Sequence, residues 1–103
     1  MEPSNRERIW QVIHSIPAGK VSTYGKVAAM AGLPNRARAV GRYLSELPEG
    51  SRIPWFRVIN AQGKISFAVG TERFVTQKQK LQSEDINFSN NRVDLKTYLW
   101  QGE

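Results

Sequence analysis

The stretch Ile53-Pro54-Trp55-Phe56-Arg57-Val58-Ile59 limits what this chain can fold into more than any other. Pro54 fixes its own φ and biases Ile53 toward an extended backbone. Two large aromatics follow, then an arginine, then a β-branched pair that starts a strand. A Pro-aromatic-aromatic run is costly to leave in water. It must enter a core or form the wall of a pocket. The 103 residues, 40% of them apolar, can build one modest core. No repeat, low-complexity tract or linker divides the chain, so a single domain over 1–103 is expected.

Upstream of that stretch the pattern is helical. Ser4-Asn5-Arg6-Glu7 fits a capping box, and Ile9, Val12, Ile13 and Ile16 follow at helical spacing until Pro17. Val21 is extended. Ser22 or Thr23 then caps a helix from Tyr24 to Ala31, closed by Gly32. After the turn Leu33-Pro34, Asn35 is placed to cap a third helix from about Arg36 to Leu47, stopped by Pro48. Helix, short glycine-containing turn, helix is the helix-turn-helix pattern. On the third helix Ala37, Val40, Leu44 and Leu47 share one face, while Arg38, Arg42 and Ser45 share the other. Small residues Ala39 and Gly41 suit close approach to a groove.

Downstream, Val58-Ile59 and Lys64-Ile65 flank Asn60-Ala61-Gln62-Gly63, a hairpin pattern with Gly63 at a positive φ and the position of a wing. Thr71 caps a fourth, mostly polar helix to about Ser83, anchored by Phe74, Val75 and Leu81. Residues 85–91 read as loop, and Val93, Leu95, Tyr98, Leu99 and Trp100 as a segment that closes back on the core. The expected fold is mainly α with a small β-hairpin, in a winged helix-turn-helix-like arrangement.

Catalytic chemistry is poorly provided for. The chain has no cysteine, hence no thiol nucleophile, disulfide or thiolate metal site. His14 is the one imidazole and has no acidic neighbour, so a structural or exposed role is expected. The pair Glu84-Asp85 is expected in solvent. No nucleophile elbow, phosphate-cradling loop or metal-ligand spacing occurs, so neither metal nor cofactor is expected. No apolar run approaches a membrane span, and Met1 to Arg6 carry no signal-peptide core. A cytoplasmic home is expected, nucleoid-associated in a bacterium or nuclear in a eukaryote. A net charge of +6 favours a polyanionic partner.

Three segments in order resemble one family. Val21-Ser22-Thr23-Tyr24-Gly25-Lys26-Val27-Ala28, Arg36-Ala37-Arg38-Ala39-Val40-Gly41 and Pro54-Trp55-Phe56-Arg57-Val58-Ile59 look like O6-alkylguanine-DNA alkyltransferases. The resemblance covers about Arg8 to Leu81. Trp55 stands where those enzymes carry the nucleophilic Cys, and Phe56 where they carry His. A Trp there marks the alkyltransferase-like proteins, the non-enzymatic relatives. The resemblance implies a DNA-binding domain of the alkyltransferase C-terminal type. It would bind O6-alkylguanine in duplex DNA through the minor groove and rotate the nucleotide out, without alkyl transfer. It also implies nucleotide excision repair proteins as partners, and a monomer is expected.

By the same resemblance Ser22, Thr23, Tyr24, Asn35, Arg36, Ala37, Arg38 and Arg42 contact DNA. Arg38 is the finger that fills the vacated stack, since a guanidinium is planar and can both stack and hydrogen-bond. Tyr24 crowds the phosphate 3′ of the rotated nucleotide. The lesion pocket would comprise Tyr24, Pro54, Trp55, Val58, Ser66, Phe67, Ala68 and Val69. Transferases carry Tyr and Ser where Ala68 and Val69 stand, so backbone groups of this loop are expected to supply base-edge contacts. Phe56 is expected in the core, and Arg57 is expected to tie the signature stretch to the body. The alternative from a different class is a helix-turn-helix transcription regulator or architectural protein reading DNA through Arg36, Arg38 and Arg42. A true alkyltransferase is disfavoured by the missing Cys.

Overall fold

The computed structural model describes residues 2–102. Helix α1 spans Asn5–Ser15 and starts at the expected capping box. Glu7 N–H donates to Ser4 Oγ at 3.2 Å, and the Glu7 carboxylate accepts in return from Ser4 N–H. Ile9, Ile13 and Ile16 form its buried stripe. Strand β1 (Ser22–Thr23) runs directly into α2 (Tyr24–Met30), capped by Thr23, whose Oγ1 accepts from Lys26 N–H at 3.2 Å. Helix α3 is Ala37–Ser45.

Asn35 does not cap α3. Its backbone is left-handed, φ 66°, which completes the turn after Pro34. The N-cap position falls to Arg36, whose side chain makes no capping bond. The helix therefore starts one residue later than expected, and it ends at Ser45 rather than Leu47.

The sheet differs from the expected wing. After the 3-10 turn Trp55–Arg57, strand β2 (Val58–Ile59) pairs in parallel with β1, in the register Ser22↔Val58 and Thr23↔Ile59. Both β2 side chains are buried. A strand buried on both sides favours a parallel partner reached by a helical crossover, here α2 and α3, over a solvent-facing hairpin. The turn after β2 does form. Asn60 N–H donates to Lys64 O at 2.9 Å, and Gly63 has φ 81°. Lys64 goes on to bridge Arg92 rather than extend a hairpin.

Helix α4 (Glu72–Gln82) is capped by Thr71 as expected, with Phe74 and Leu81 buried. Val75, expected to be an anchor, is 44% exposed, and Gln77, not expected inside, is buried instead. The hairpin of this fold lies in the segment expected to be loop. Strands β3 (Phe88–Ser89) and β4 (Arg92–Val93) are antiparallel, joined by Asn90 and Asn91 at φ 53° and 58°. Two successive positive φ values match the primed turn whose twist suits a hairpin, and Asn tolerates them. A short helix α5 (Leu95–Tyr98) follows. The chain end then returns to the core, with Val21 N–H donating to Tyr98 O at 2.9 Å and Trp100 N–H to Val21 O at 2.8 Å.

The core has two clusters. Ile9, Ile13, Val27, Ala28, Val40, Val58 and Trp100 pack under the helix-turn-helix. Val21, Ile59, Ile65, Phe74, Leu81, Ile86 and Val93 pack under α4 and the hairpin. The two residues of β2 point to opposite faces, so Val58 belongs to the first cluster and Ile59 to the second. The signature stretch thus enters the seam between them.

Candidate functional site

The seam opens into a cleft of about 1050 Å³. One wall is the second half of α3 with residues 47–51; the other is the start of α4 with residues 66–68; Tyr24, Trp55 and Val58 lie between. Pro54 leads into the 3-10 turn and Trp55 is its first residue, so the indole projects at the cleft while Val58 is drawn into the sheet. The Trp55 ring meets Phe56 edge-on at 5.9 Å and Phe67 at 6.5 Å. Half-buried, Trp55 is neither closed core nor free surface. Such a wall suits a flat or alkyl-bearing guest. Glu49, Glu72 and Arg73 line the cleft, with the Arg73 guanidinium 5.7 Å over Phe67.

Tyr24, Trp55, Val58, Ser66, Phe67 and Ala68 come together in this cleft as expected. Two expected pocket residues do not. Pro54 is buried and shapes the turn from behind, and Val69 is 71% exposed outside the lining. The sequence pattern missed Leu44 and Leu47, assigned to a core face, and Gln77, hidden in a polar helix. Helical spacing shows which residues share a face. It does not show whether that face meets a neighbour or a cavity.

On the expected DNA face, Arg36, Arg38, Arg42 and Asn35 are exposed, while Ala37, Tyr24 and Thr23 are half-buried. Arg42 donates to the Tyr43 hydroxyl at 3.2 Å, and its guanidinium lies 5.0 Å over that ring. Arg38 has no hydrogen bond or ion pair among the described residues. Ser22 must be struck from the DNA-contacting set. It is fully buried, because β1 places it inside the sheet, and its Oγ has no partner.

Arg57 ties the signature stretch down as expected. Its Nη1 donates to Ile16 O at 2.8 Å, its Nε to Glu84 Oε1 at 3.0 Å, and its Nη2 to Glu84 Oε2. Glu84 is therefore not the solvated residue expected of an acidic pair. It accepts also from Gly19 N–H at 3.2 Å, joining the end of α1 to the end of α4. Burial pushes the Glu84 carboxyl up, but the Arg57 hydrogen bonds, the Gly19 amide and the Arg57 charge outweigh it and hold the group below its ordinary value. Phe56 packs half-buried against the second cluster, and His14 is exposed. Among the described residues no cluster of three or more His, Cys, Asp or Glu could hold a metal ion, and no helix is long and apolar enough to cross a membrane.

Residues 4–86 match the family described as 6-O-methylguanine DNA methyltransferase, DNA binding domain. A DNA base-flipping protein of Vibrio parahaemolyticus is 56% identical over 95 residues, 91% of this chain and 93% of its own. Alkyltransferase-like protein 1 of Schizosaccharomyces pombe is 34% identical over 102 residues, 91% of this chain and 92% of its own. The chain belongs to the alkyltransferase-like family. Its fold agrees. S. pombe Atl1, solved with damaged DNA containing O6-carboxymethylguanine, superposes with a TM-score of 0.87 at 32% identity, covering 98% of this chain and 99% of that one. This chain is thus a mainly helical small domain of the alkyltransferase-like fold with little sheet.

Proposed function

We propose that this alkyltransferase-like chain binds O6-alkylguanine in duplex DNA and does not repair it. Helices α2 and α3 dock in the minor groove, Arg38 enters the base stack, Tyr24 crowds the neighbouring phosphate, and the rotated nucleotide occupies the cleft. One observation carries this most: an aromatic cleft walled by Trp55, at the position that the resemblance assigns to the nucleophile, in a chain without cysteine. Alkyl transfer needs a thiolate there, with a neighbour that lowers its pKa. An indole offers surface instead. Burying the adduct beside it contributes about 0.8 kcal/mol per CH₂, and nothing is consumed. The relatives' names and the Atl1 complex with damaged DNA support the same class of ligand. The bound complex, acting as a monomer in the compartment that holds the DNA, presents the lesion to nucleotide excision repair.

Fluorescence titration of the protein with matched duplexes carrying guanine or O6-methylguanine tests this. The methylated duplex should bind tighter in unrelated flanking sequences. Equal affinity for both would leave a lesion-blind DNA binder of the regulator or architectural kind.

A further inference from the structure

Gln77 sits in the middle of α4 and is 2% exposed, yet it lines the cleft. Its Nε2 donates to two backbone carbonyls of the signature stretch, Phe56 O at 3.0 Å and Val58 O at 3.1 Å. Two carbonyl acceptors on one side leave no choice of amide orientation, because only the NH₂ end can serve both. Both amide protons are thereby used. Oε1 then faces away from the turn and has no hydrogen bond among the described residues. It is not sealed in either. The described buried side-chain polar atoms that lack a partner are Ser22 Oγ and Trp100 Nε1, and Gln77 Oε1 is not one of them. A polar residue this deeply buried normally satisfies both ends of its amide. Here one end is clamped and the other is an open acceptor on a residue that lines the cleft, in the same lining as Trp55, Val58 and Phe67.

We infer that Gln77 is a specificity-determining residue, whose Oε1 accepts a hydrogen bond from an exocyclic amino group of the base in the cleft. This rests on the proposal that the cleft holds a rotated O6-alkylguanine. Alkylation at O6 removes the N1 proton and leaves the 2-amino group as the sole N–H donor of the pairing edge. A rigid acceptor suits that donor. A base without the amino group leaves Oε1 dry and unpaired, which is the more expensive half of a lost hydrogen bond. The acceptor also compensates for the apolar Ala68 in the lining of the same cleft.

The test is a binding cycle with duplexes carrying O6-methylguanine or O6-methylhypoxanthine, which share the alkyl group and differ only in the 2-amino group. It compares the wild type with Gln77→Lys. Lysine can still donate to the Phe56 and Val58 carbonyls but has no acceptor. The wild-type preference for the amino-bearing base, divided by that of the variant, should be about tenfold; the ratio cancels differences between the duplexes themselves. Gln77→Met, which loses donor and acceptor together, should give the same collapse, so the result does not hang on one variant folding. A cycle ratio near one, with wild type still preferring O6-methylguanine to guanine, overturns the role of Gln77 alone. Loss of that alkyl preference in the wild type overturns the cleft as a lesion pocket, and this inference with it.

Discussion

At the scale of single residues, Trp55 and Arg38 separate binding from chemistry. Trp55→Cys restores a thiol without its surroundings. A thiol of ordinary pKa, ~8.5, is mostly protonated at neutral pH, and Phe56 has no ring nitrogen to take the proton. The indole's contacts with Phe56 and Phe67 are lost as well, leaving a void. The variant should bind O6-methylguanine DNA more weakly and show no stoichiometric gain of a methyl group in its intact mass after incubation with the methylated duplex. Full methylation would mean that another group activates position 55. Arg38 is exposed and free of protein partners among the described residues, as a group that must leave the surface should be. Arg38→Ala should weaken binding of the lesion about tenfold more than of plain duplex, because only the rotated state leaves a gap to fill. A base analogue that brightens on unstacking, placed beside the lesion, reports whether rotation persists; an undiminished signal with the variant removes Arg38 from that role.

At the scale of elements, the joints matter more than the helices. The turn after β2 depends on Gly63, where φ is 81° and an added Cβ would run into the Val93 carbonyl. Gly63 also accepts from Val93 N–H at 2.8 Å, so the turn and β4 cannot easily separate to make room. Gly63→Ala should cost about 2–4 kcal/mol in urea unfolding; a loss below 1 kcal/mol would show that the two segments are mobile. The second joint is Arg57 with Glu84, whose side chains are 15% and 14% exposed. Removing one partner of such a pair strands the other, at about 2 kcal/mol here, below the fully buried cost because some solvent remains. Since the Glu84 carboxyl is held below its ordinary value in the fold, its contribution is complete above the unfolded carboxylate pKa, ~4.3. It fades as pH falls through the lowered folded value. The stability gap between wild type and Glu84→Gln should therefore be constant near neutrality and close in acid. A gap that held unchanged down to pH 2 would mean that charge plays no part in this joint.

At the scale of the molecule, a net charge of +6 meets a face carrying Arg36, Arg38 and Arg42. If those three neutralise phosphates, the logarithm of the DNA affinity should fall against the logarithm of salt with a slope of about −3. Arg42→Ala should reduce the slope by about one and weaken lesion and plain duplex alike, since a phosphate contact carries no lesion information. A selective loss of lesion preference would place Arg42 in the cleft's chemistry instead. The two core clusters meet at β2, so the helix-turn-helix and the lobe bearing α4 are held in one body by four short strand residues and the Arg57 joint.

Local chemistry made much of this legible in advance. Ser4 with Glu7, Thr23 and Thr71 each cap the helix expected of them, because capping needs only a side-chain oxygen two or three residues from its donor. Periodicity found the inward stripe of α1, and composition excluded a thiol. What pairs with Val58-Ile59 was not legible. A β-branched pair accepts a neighbouring hairpin strand or a distant parallel one equally well by local preference, and burial on both faces decided for β1, far away in the chain. Asn90-Asn91 did carry a turn signal that a loop assignment overlooked. Gln77 and Glu84 are polar residues in polar surroundings of sequence. Only the tertiary fold, by bringing the Phe56 and Val58 carbonyls, Gly19 and Arg57 against them, made burying those side chains affordable and placed one of them in the lining of the cleft.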